Sequence, residues 1–373
     1  MKLHSINDFA KAAKNKLPKE VFDFFSGGSM NEITLANNEK AFQKISLLPQ
    51  VLKPVKNIST KITLLNHHIR APIITAPTAF QKLAHNDGEL ATARAINIAS
   101  LGMIVSTMSS ISLEEIANNA GDSLLFFQLY IYKDRGFTKE LIHRAEIANY
   151  KAIVITVDVP IMGRRYKDMR AGFKLPINCV AANLPRLLSE KICSIRNNNA
   201  VSTIKEFTDL YFENSLTWED IVWIKSVTKL PVIIKGIMHP ADAKIAVSHD
   251  IEALIVSNHG GRQLDTLPPT IEVLPFIAKA TEKKIPILVD GGIRNGLDIF
   301  KALALGADCV CLGRPILWGL SVNGEQGVLA VLESYCQELE ETMVLCGCTS
   351  ISDIKEYGKQ LLFSNSFKAF FTD

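Results

Sequence analysis

Residues 253–260 read ALIVSNHG, and residues 286–292 read PILVDGG. Each stretch opens with a short apolar run and closes on polar residues and glycine. The same grammar recurs in PIITAP (72–77), GMIVST (102–107), LLFFQLY (124–130), AIVITVD (152–158), PVIIKG (231–236) and CVCLGRP (309–315). These runs are too short for helices, are rich in Val and Ile, and lack the alternation of a half-exposed strand. They fit strands buried on both faces of a parallel sheet. Helix-like stretches separate them, such as DGELATARAINIASL, SLEEIANNA, TKELIHRAEIANY, HPADAKIAVSHD, TIEVLPFIAKATEK and LDIFKALALG. Ser112 with Glu115 reads as a capping box, and Gly306 suits a helix C-terminus. Eight strand–helix units predict an α/β fold, a (β/α)8 TIM barrel. The alternative, an open doubly wound sheet, carries a GxGxxG turn after its first strand, and none follows PIITAP.

The whole chain, 1–373, is expected to be one barrel domain with three additions. Residues 1–71 precede the first strand and contain LPKEVFDFFSGG, which reads as a helix ending at Gly27-Gly28. Residues 159–230 interrupt the repeat after the fourth strand and read as a lid near the catalytic face. Within them LPRLLSEKICSIRNNN is basic and amphipathic, a solvated lid helix or, alternatively, a membrane-surface contact. Residues 316–373 supply a closing helix, VLAVLESYCQELEETMVLCG, and a tail.

Composition excludes several classes. Lys+Arg 41 against Asp+Glu 38 leaves +3, too balanced to point to nucleic acid. With 47% apolar and 21% charged residues, disordered and fibrous classes are out. The first 20 residues do not read as a signal peptide, and no run of 18 apolar residues occurs, so no membrane span is expected. Seven Cys with no CxxC pair suit a reducing compartment. Cys309 and Cys311 share one face of a strand and read as core rather than metal ligands. The chain ends FFTD without the common peroxisomal tripeptide, so a cytoplasmic location is expected.

In such a barrel, polar residues at strand C-termini share one mouth. Here those ends carry Ser106 and Thr107, Gln128 and Tyr130, Thr156 and Asp158, Lys235, Ser257 through Arg262, Asp290-Gly-Gly, and Gly313-Arg314. His259 can take a proton near neutral pH. Asp158 could orient it, a plain strand-end cap being the alternative. Arg262 is a fork for a carboxylate or phosphate. DGGIR (290–294) and LGR (312–314) sit where such barrels hold phosphate, with Arg294 and Arg314 adding charge. Lys235, inside the mouth, requires a negative partner, and a flavin's N1–C2=O edge would serve.

The stretches LPKEVFDFF, APTAFQKLAH (76–85), FFQLYIYKD (126–134), TVDVPIMGRR (156–165), LPVIIKG (230–236), IVSNHGGRQLD (255–265), DGGIRNGLDIFKALALGA (290–307) and LGRP (312–315) carry a resemblance nearly end to end. The chain resembles the FMN-dependent L-α-hydroxy acid oxidase/dehydrogenase family, and within it the glycolate oxidases. The resemblance implies an FMN-binding barrel that assembles as a homotetramer and acts on a small 2-hydroxy acid. His259 would be the base, whether hydrogen leaves carbon as hydride or proton, and Asp158 would stabilise its imidazolium. Arg165 and Arg262 would clamp the substrate carboxylate, with Tyr130 at the reacting hydroxyl and Lys235 against the flavin. Pro77, Thr78, Ala79, Ser106, Gln128, Thr156 and Ser257 would hold the ring and ribityl portions. Asp290, Gly291, Gly292, Ile293, Arg294, Gly313 and Arg314 would hold ribityl and phosphate.

Two positions depart from the family pattern. Phe24 stands where the family places a Tyr whose hydroxyl reaches the substrate carboxylate; such a bond is worth about 1.5–3 kcal/mol. Met108 replaces a Trp of the glycolate oxidases and reshapes the substrate pocket. Glycolate is therefore not expected to be the best substrate, ahead of lactate, 2-hydroxy-octanoate or mandelate. The electron acceptor would be O2, yielding H2O2. A quinone or other acceptor in a family dehydrogenase, or a non-redox FMN isomerase, are the alternatives.

Overall fold

Eight short Val-, Ile- and Leu-rich runs are the staves of a closed parallel barrel: β1 (Ile73–Thr75), β2 (Gly102–Ser106), β3 (Leu124–Leu129), β4 (Ala152–Thr156), β5 (Val232–Ile237), β6 (Ala253–Val256), β7 (Ile287–Val289) and β8 (Cys309–Leu312). Each strand pairs with the next in sequence, and β8 closes on β1 through Val310 opposite Ile73. The computed structural model describes residues 3–176, 179–194 and 203–363.

Side-chain alternation divides the strands into two packed sets. Ile74, Ile104, Phe126, Val154, Ile233, Ile255, Leu288, Cys309 and Cys311 form the inner core. Their neighbours Ile73, Met103, Phe127, Ile153, Ile234, Leu254, Val289 and Val310 pack outward against the helices. Cys309 and Cys311 thus share the inner face as core residues, as their spacing implied. A hairpin of Ile62–Leu64 and His67–Ile69 adds Leu64 and Ile69 to the inner core and plugs one end.

The intervening segments are helical: α1 (Ile6–Lys16), α2 (Lys19–Ser26), α3 (Ile33–Gln43), α4 (Gly88–Ala99), α5 (Leu113–Asn119), α6 (Arg135–Ile147), α7 (Tyr166–Ala171), α8 (Arg186–Ser194), α9 (Thr203–Tyr211), α10 (Trp218–Val227), α11 (Pro240–Ser248), α12 (Thr270–Thr281), α13 (Gly296–Ala304), α14 (Arg314–Cys346) and α15 (Ile351–Tyr357). As expected, α2 ends at Gly27. The Ser112 hydroxyl accepts the Glu115 N–H at 3.2 Å, one half of the reciprocal box. Gly306 follows α13 with φ +112. The amphipathic stretch in the insert forms α8, while residues 195–199 of that stretch lie outside the described residues. No helix among the described residues is long and apolar enough to cross a membrane.

The C-terminal region differs from its sequence reading. The closing helix was expected over 328–347, yet helix begins at Arg314, directly after β8. It bends sharply at Asn323–Gly324, where the backbone leaves helical geometry. Apolar periodicity reports only the second arm, because the first, Arg314–Ser321, is buried through most of its residues and has no polar face to reveal its period. Gly319 and Gly327 meet across the bend: a Cβ on Gly319 would lie 2.5 Å from the Gly327 carbonyl oxygen, and the converse contact is closer still. This bend sets the α14 N-terminus at the barrel mouth while the helix as a whole packs on α1, α4 and α13. Gly327→Ala is expected to destabilise the protein by about 1–3 kcal/mol through overpacking, read as a lowered midpoint in urea unfolding.

Candidate active site

The inner parity of the strands continues past their ends. Ser106 follows Ile104 by two residues, Gln128 follows Phe126, Thr156 follows Val154, Lys235 follows Ile233, Ser257 follows Ile255, and Asp290 follows Leu288. Two-residue periodicity therefore aims all six polar side chains at the axis. Four of them, Ser106, Thr156, Lys235 and Asp290, sit at the floor of a cleft with ≈ 1340 Å³ of non-atom space, its open mouth included. Gln128 joins three strands: its Oε1 accepts from the Thr107 N–H at 3.2 Å, and its Nε2 donates to Thr156 Oγ1 at 3.0 Å. Gln128, Ser257 and Asp158 stand behind the residues that line the cleft, while the other expected site residues line it directly.

Lys235 is 3% exposed, and its Nζ donates to Ser257 Oγ at 2.7 Å and pairs with Asp290 Oδ2 at 3.1 Å. Ser257 Oγ in turn donates to Asp290 Oδ1 at 2.8 Å. Burial alone would lower the ammonium's affinity for its proton, but Asp290 and Asp158 outweigh it and keep Lys235 charged. The negative partner that Lys235 required is thus Asp290, a residue the sequence had placed with ribityl and phosphate.

His259 Nδ1 lies 2.9 Å from Asp158 Oδ1. The His259 backbone is left-handed at φ +56, and Gly260 and Gly261 continue the bend at φ +60 and +74. Reciprocal amide bonds of 2.9 and 2.8 Å between Asn38 and Asn258 tie this loop to α3. Asp158 fits only because residue 236 is glycine: at φ +114, a Cβ there would lie 2.7 Å from that of Asp158. Burial pushes the His259 imidazole below its ordinary range; Asp158 pulls it back up, and Lys235 and Arg165 push it down again. Burial would raise the Asp158 carboxyl, yet His259 and Lys235 together hold it below the usual range. The pair at neutral pH is a carboxylate facing a neutral ring, with the Nδ1 proton toward Asp158 and Nε2 free to accept.

Guanidinium groups crowd the remaining walls. Arg165 is pulled down to about 9, by burial first and Arg262 second, and its Nε has no partner among the described residues. Arg262 donates through one nitrogen to the carbonyls of Phe24 at 2.9 Å and Gly27 at 2.8 Å. Arg314 donates to the carbonyls of Phe25, Gly260 and Gly27 at 3.1, 3.0 and 2.8 Å. Burial depresses both groups, with Arg262 and Arg294 adding to the effect on Arg314. Asp168, 3.8 Å from Arg165, is the nearby carboxylate. The Phe24 ring stacks on Phe173 at 4.5 Å and lies 5.4 Å beneath the Arg262 guanidinium. Tyr130 stacks on Phe212 at 4.6 Å, and burial, with Asp158 second, pushes its phenol up to about 12, so it keeps its proton. Met108, 4% exposed, completes the apolar wall.

At the other end of the cleft, Pro77, Thr78 and Ala79 follow β1, and Gly291 through Arg294 follow β7. Gly313 precedes the α14 N-terminus, and a Cβ there would meet nothing nearer than 3.8 Å, so the backbone is open to a close approach. Arg294 is held by Glu39 at 2.7 Å and lies over Trp318. Glycine loops, a helix N-terminus and two guanidinium groups form a donor set for a phosphate, and a buried ammonium lies on the same cleft floor. That chemistry fits FMN.

Sequence reasoning missed several lining residues. Ile204, Thr208 and Phe212 come from the insert at and just beyond α9, whose docking on the mouth no local pattern announces. Phe25, Phe80, Val159, Met162, Gln263 and Leu317 also line the cleft. Gln263 lay inside the SNHGGRQ motif and was findable: its Nε2 donates to the carbonyls of Asp158 at 3.0 Å and Ile161 at 2.8 Å, joining the two catalytic-face loops.

A family model described as FMN-dependent dehydrogenase matches residues 13–359. A 2-hydroxyacid oxidase of Dictyostelium discoideum is 44% identical over 94% of this chain and 88% of its own. A glycolate oxidase of Spinacia oleracea is 42% identical over 95% of each. Among solved structures, a mandelate oxidase with (S)-4-hydroxymandelic acid aligns with a TM-score of 0.91 at 41% identity, covering 95% of this chain and 98% of that one. A barrel whose mouth suits a flavin phosphate, matched along nearly its full length, leaves one assignment: the chain belongs to the FMN-dependent dehydrogenase family and uses FMN.

Proposed function

We propose that the protein oxidises an L-2-hydroxy acid to the 2-oxo acid, with O2 taking the two electrons and two protons to form H2O2. The observation that carries this reading is the His259–Asp158 pair at 2.9 Å, facing the cleft that Arg165 and Arg262 line. Bound FMN would supply the two-electron redox chemistry that couples substrate to oxygen. Arg165 and Arg262 bind the carboxylate, and the Tyr130 phenol donates at the hydroxyl end. His259 Nε2 accepts the hydroxyl proton, and Asp158 stabilises the imidazolium so formed. Lys235 would hold positive charge against the flavin ring. The oxidase names of the relatives support O2 as acceptor. A homotetramer in the cytoplasm completes this reading; Cys309, Cys311, Cys336, Cys346 and Cys348 are buried thiols in no disulfide, which suits a reducing compartment.

The substrate side chain would be larger and less polar than hydrogen. Phe24, Met108, Ile204 and Phe212 present carbon where a small polar acid finds no partner. The loss of a hydroxyl at Phe24 costs every substrate the same carboxylate bond, but an apolar side chain recovers it by burial at roughly 25 cal/mol per Å2. Oxygen uptake with an acid panel tests both parts. Lactate, 2-hydroxy-octanoate or mandelate should exceed glycolate in kcat/KM, with one H2O2 per 2-oxo acid. A glycolate optimum would reject the specificity, and turnover with a dye acceptor but not with O2 would mark a dehydrogenase. Phe24→Tyr should lower KM for glycolate by roughly ten- to a hundredfold, one added hydrogen bond to a charged group.

The pH dependence follows from His259. A protonated imidazole cannot accept the substrate proton, so kcat/KM should fall toward acid, and burial places that limb below the ordinary pKa of 6.5. Asp158→Asn removes the influences that raise the His259 pKa. The limb should then move to still lower pH while the plateau falls, because the imidazolium loses its counter-charge. His259→Gln should lower kcat by about 10²–10⁴-fold while FMN stays bound. An unmoved limb in the Asp158 variant would remove His259 as the titrating group.

A further inference from the structure

Behind the cleft wall that carries Pro77, Thr78 and Ala79 lies a buried polar chain that the catalytic assignment does not use. Glu89, in the first turn of α4, is 1% exposed. Its Oε1 accepts the backbone N–H of Gln81 at 3.0 Å and of Ser110 at 2.9 Å, and its Oε2 accepts the Ser110 hydroxyl at 2.6 Å. Burial pushes this carboxyl up, and none of the ion pairs among the described residues includes it. One side chain therefore pins the loop after β1 and the loop after β2, which carries Met108, to the same helix turn.

Gln81, 2% exposed, sits between this anchor and the cleft. Its Oε1 accepts from the Thr92 hydroxyl at 2.6 Å, and its Nε2 points at Thr78 and donates to Oγ1 at 2.9 Å. An oxygen that already accepts from Gln81 keeps its own proton for another partner. Thr78 lines the cleft, with its methyl 3.8 Å from where a Gly313 Cβ would stand.

We propose that Gln81 is a positioning residue that makes the Thr78 hydroxyl a directed donor to the flavin ring, with Glu89 as its anchor. This rests on the FMN assignment above. Electron density on the ring rises on reduction, so a donor aimed at it favours the reduced form. One such bond changes the ratio of reduced to oxidised cofactor by roughly two- to tenfold, up to about 30 mV for a two-electron couple.

The test is the midpoint potential of bound FMN in purified holoprotein, measured for wild type, Thr78→Val, Gln81→Glu and the double variant. Glutamate keeps an acceptor for Thr92 but presents an acceptor to Thr78, turning the hydroxyl proton away from the cleft. Thr78→Val and Gln81→Glu should each lower the potential by an equivalent of about two- to tenfold, and the double variant no further than Thr78→Val alone. Gln81→Met supplies the same cycle if the glutamate variant does not fold, with a smaller shift that likewise vanishes in the Thr78→Val background. An unchanged potential in Thr78→Val, or additive shifts in the double variant, would overturn the proposal. Wild-type protein that fails to bind FMN would instead overturn the assignment on which it rests.

Discussion

A closed barrel has one inside, and two-residue alternation decides what goes there. For most of each strand the inward residue is Ile, Val, Leu, Phe or Cys, and the interior is a packed core. One step beyond, the same parity delivers Ser, Gln, Thr, Lys, Ser and Asp to a shared mouth. Charges placed so deep must be compensated. Lys235 is matched by Asp290, and Asp158 by the hydrogen-bonded His259 ring. Arg165 and Arg262 face chiefly Asp168 and Arg314 faces Glu39, and burial, with mutual repulsion second, lowers the proton affinity of Arg165 and Arg314. The mouth is short of negative charge by construction. A substrate carboxylate at one end and a cofactor phosphate at the other supply what it lacks.

How the arginines are held matters as much as how many there are. Arg262 and Arg314 both donate to the carbonyls of Phe25 and Gly27, at the C-terminal end of α2. That end of a helix carries partial negative charge. Carbonyl dipoles orient a guanidinium without neutralising it, as a carboxylate would. The short helix that LPKEVFDFF forms is therefore part of the site twice over. Its backbone positions the two cations, and its Phe24 ring supplies the apolar wall beneath Arg262.

The barrel was legible in the sequence because buried parallel strands write their burial directly into composition, and because glycine and charge mark their ends. His259, Asp158, Lys235, Arg262 and the loops after β7 and β8 were legible for the same reason: each stands within a few residues of a strand terminus. Arg165, from the insert, was found through resemblance alone. What was not legible depends on distant packing. The start of α14 was missed because its first arm is buried almost all round, and Ile204, Thr208 and Phe212 because their segment docks from across the mouth. The Asp290 partner of Lys235 required knowing that β5 and β7 flank β6. Gln81 and Glu89 lie in a loop and a helix, where nothing local separates a buried network from a solvated face.

The central claim is that this mouth removes hydrogen from the carbon bearing the hydroxyl of an L-2-hydroxy acid, with His259 as base. The most direct measurement is anaerobic: mix the FMN-loaded protein with L-lactate, L-2-hydroxy-octanoate and L-mandelate in turn and follow the flavin's visible absorbance. The account predicts that at least one L-acid bleaches the flavin in a rapid saturating phase that its D-enantiomer does not reproduce, and that His259→Gln slows this phase at unchanged flavin content. Flavin that dithionite bleaches but no hydroxy acid does, or an undiminished phase in the His259 variant, would contradict it.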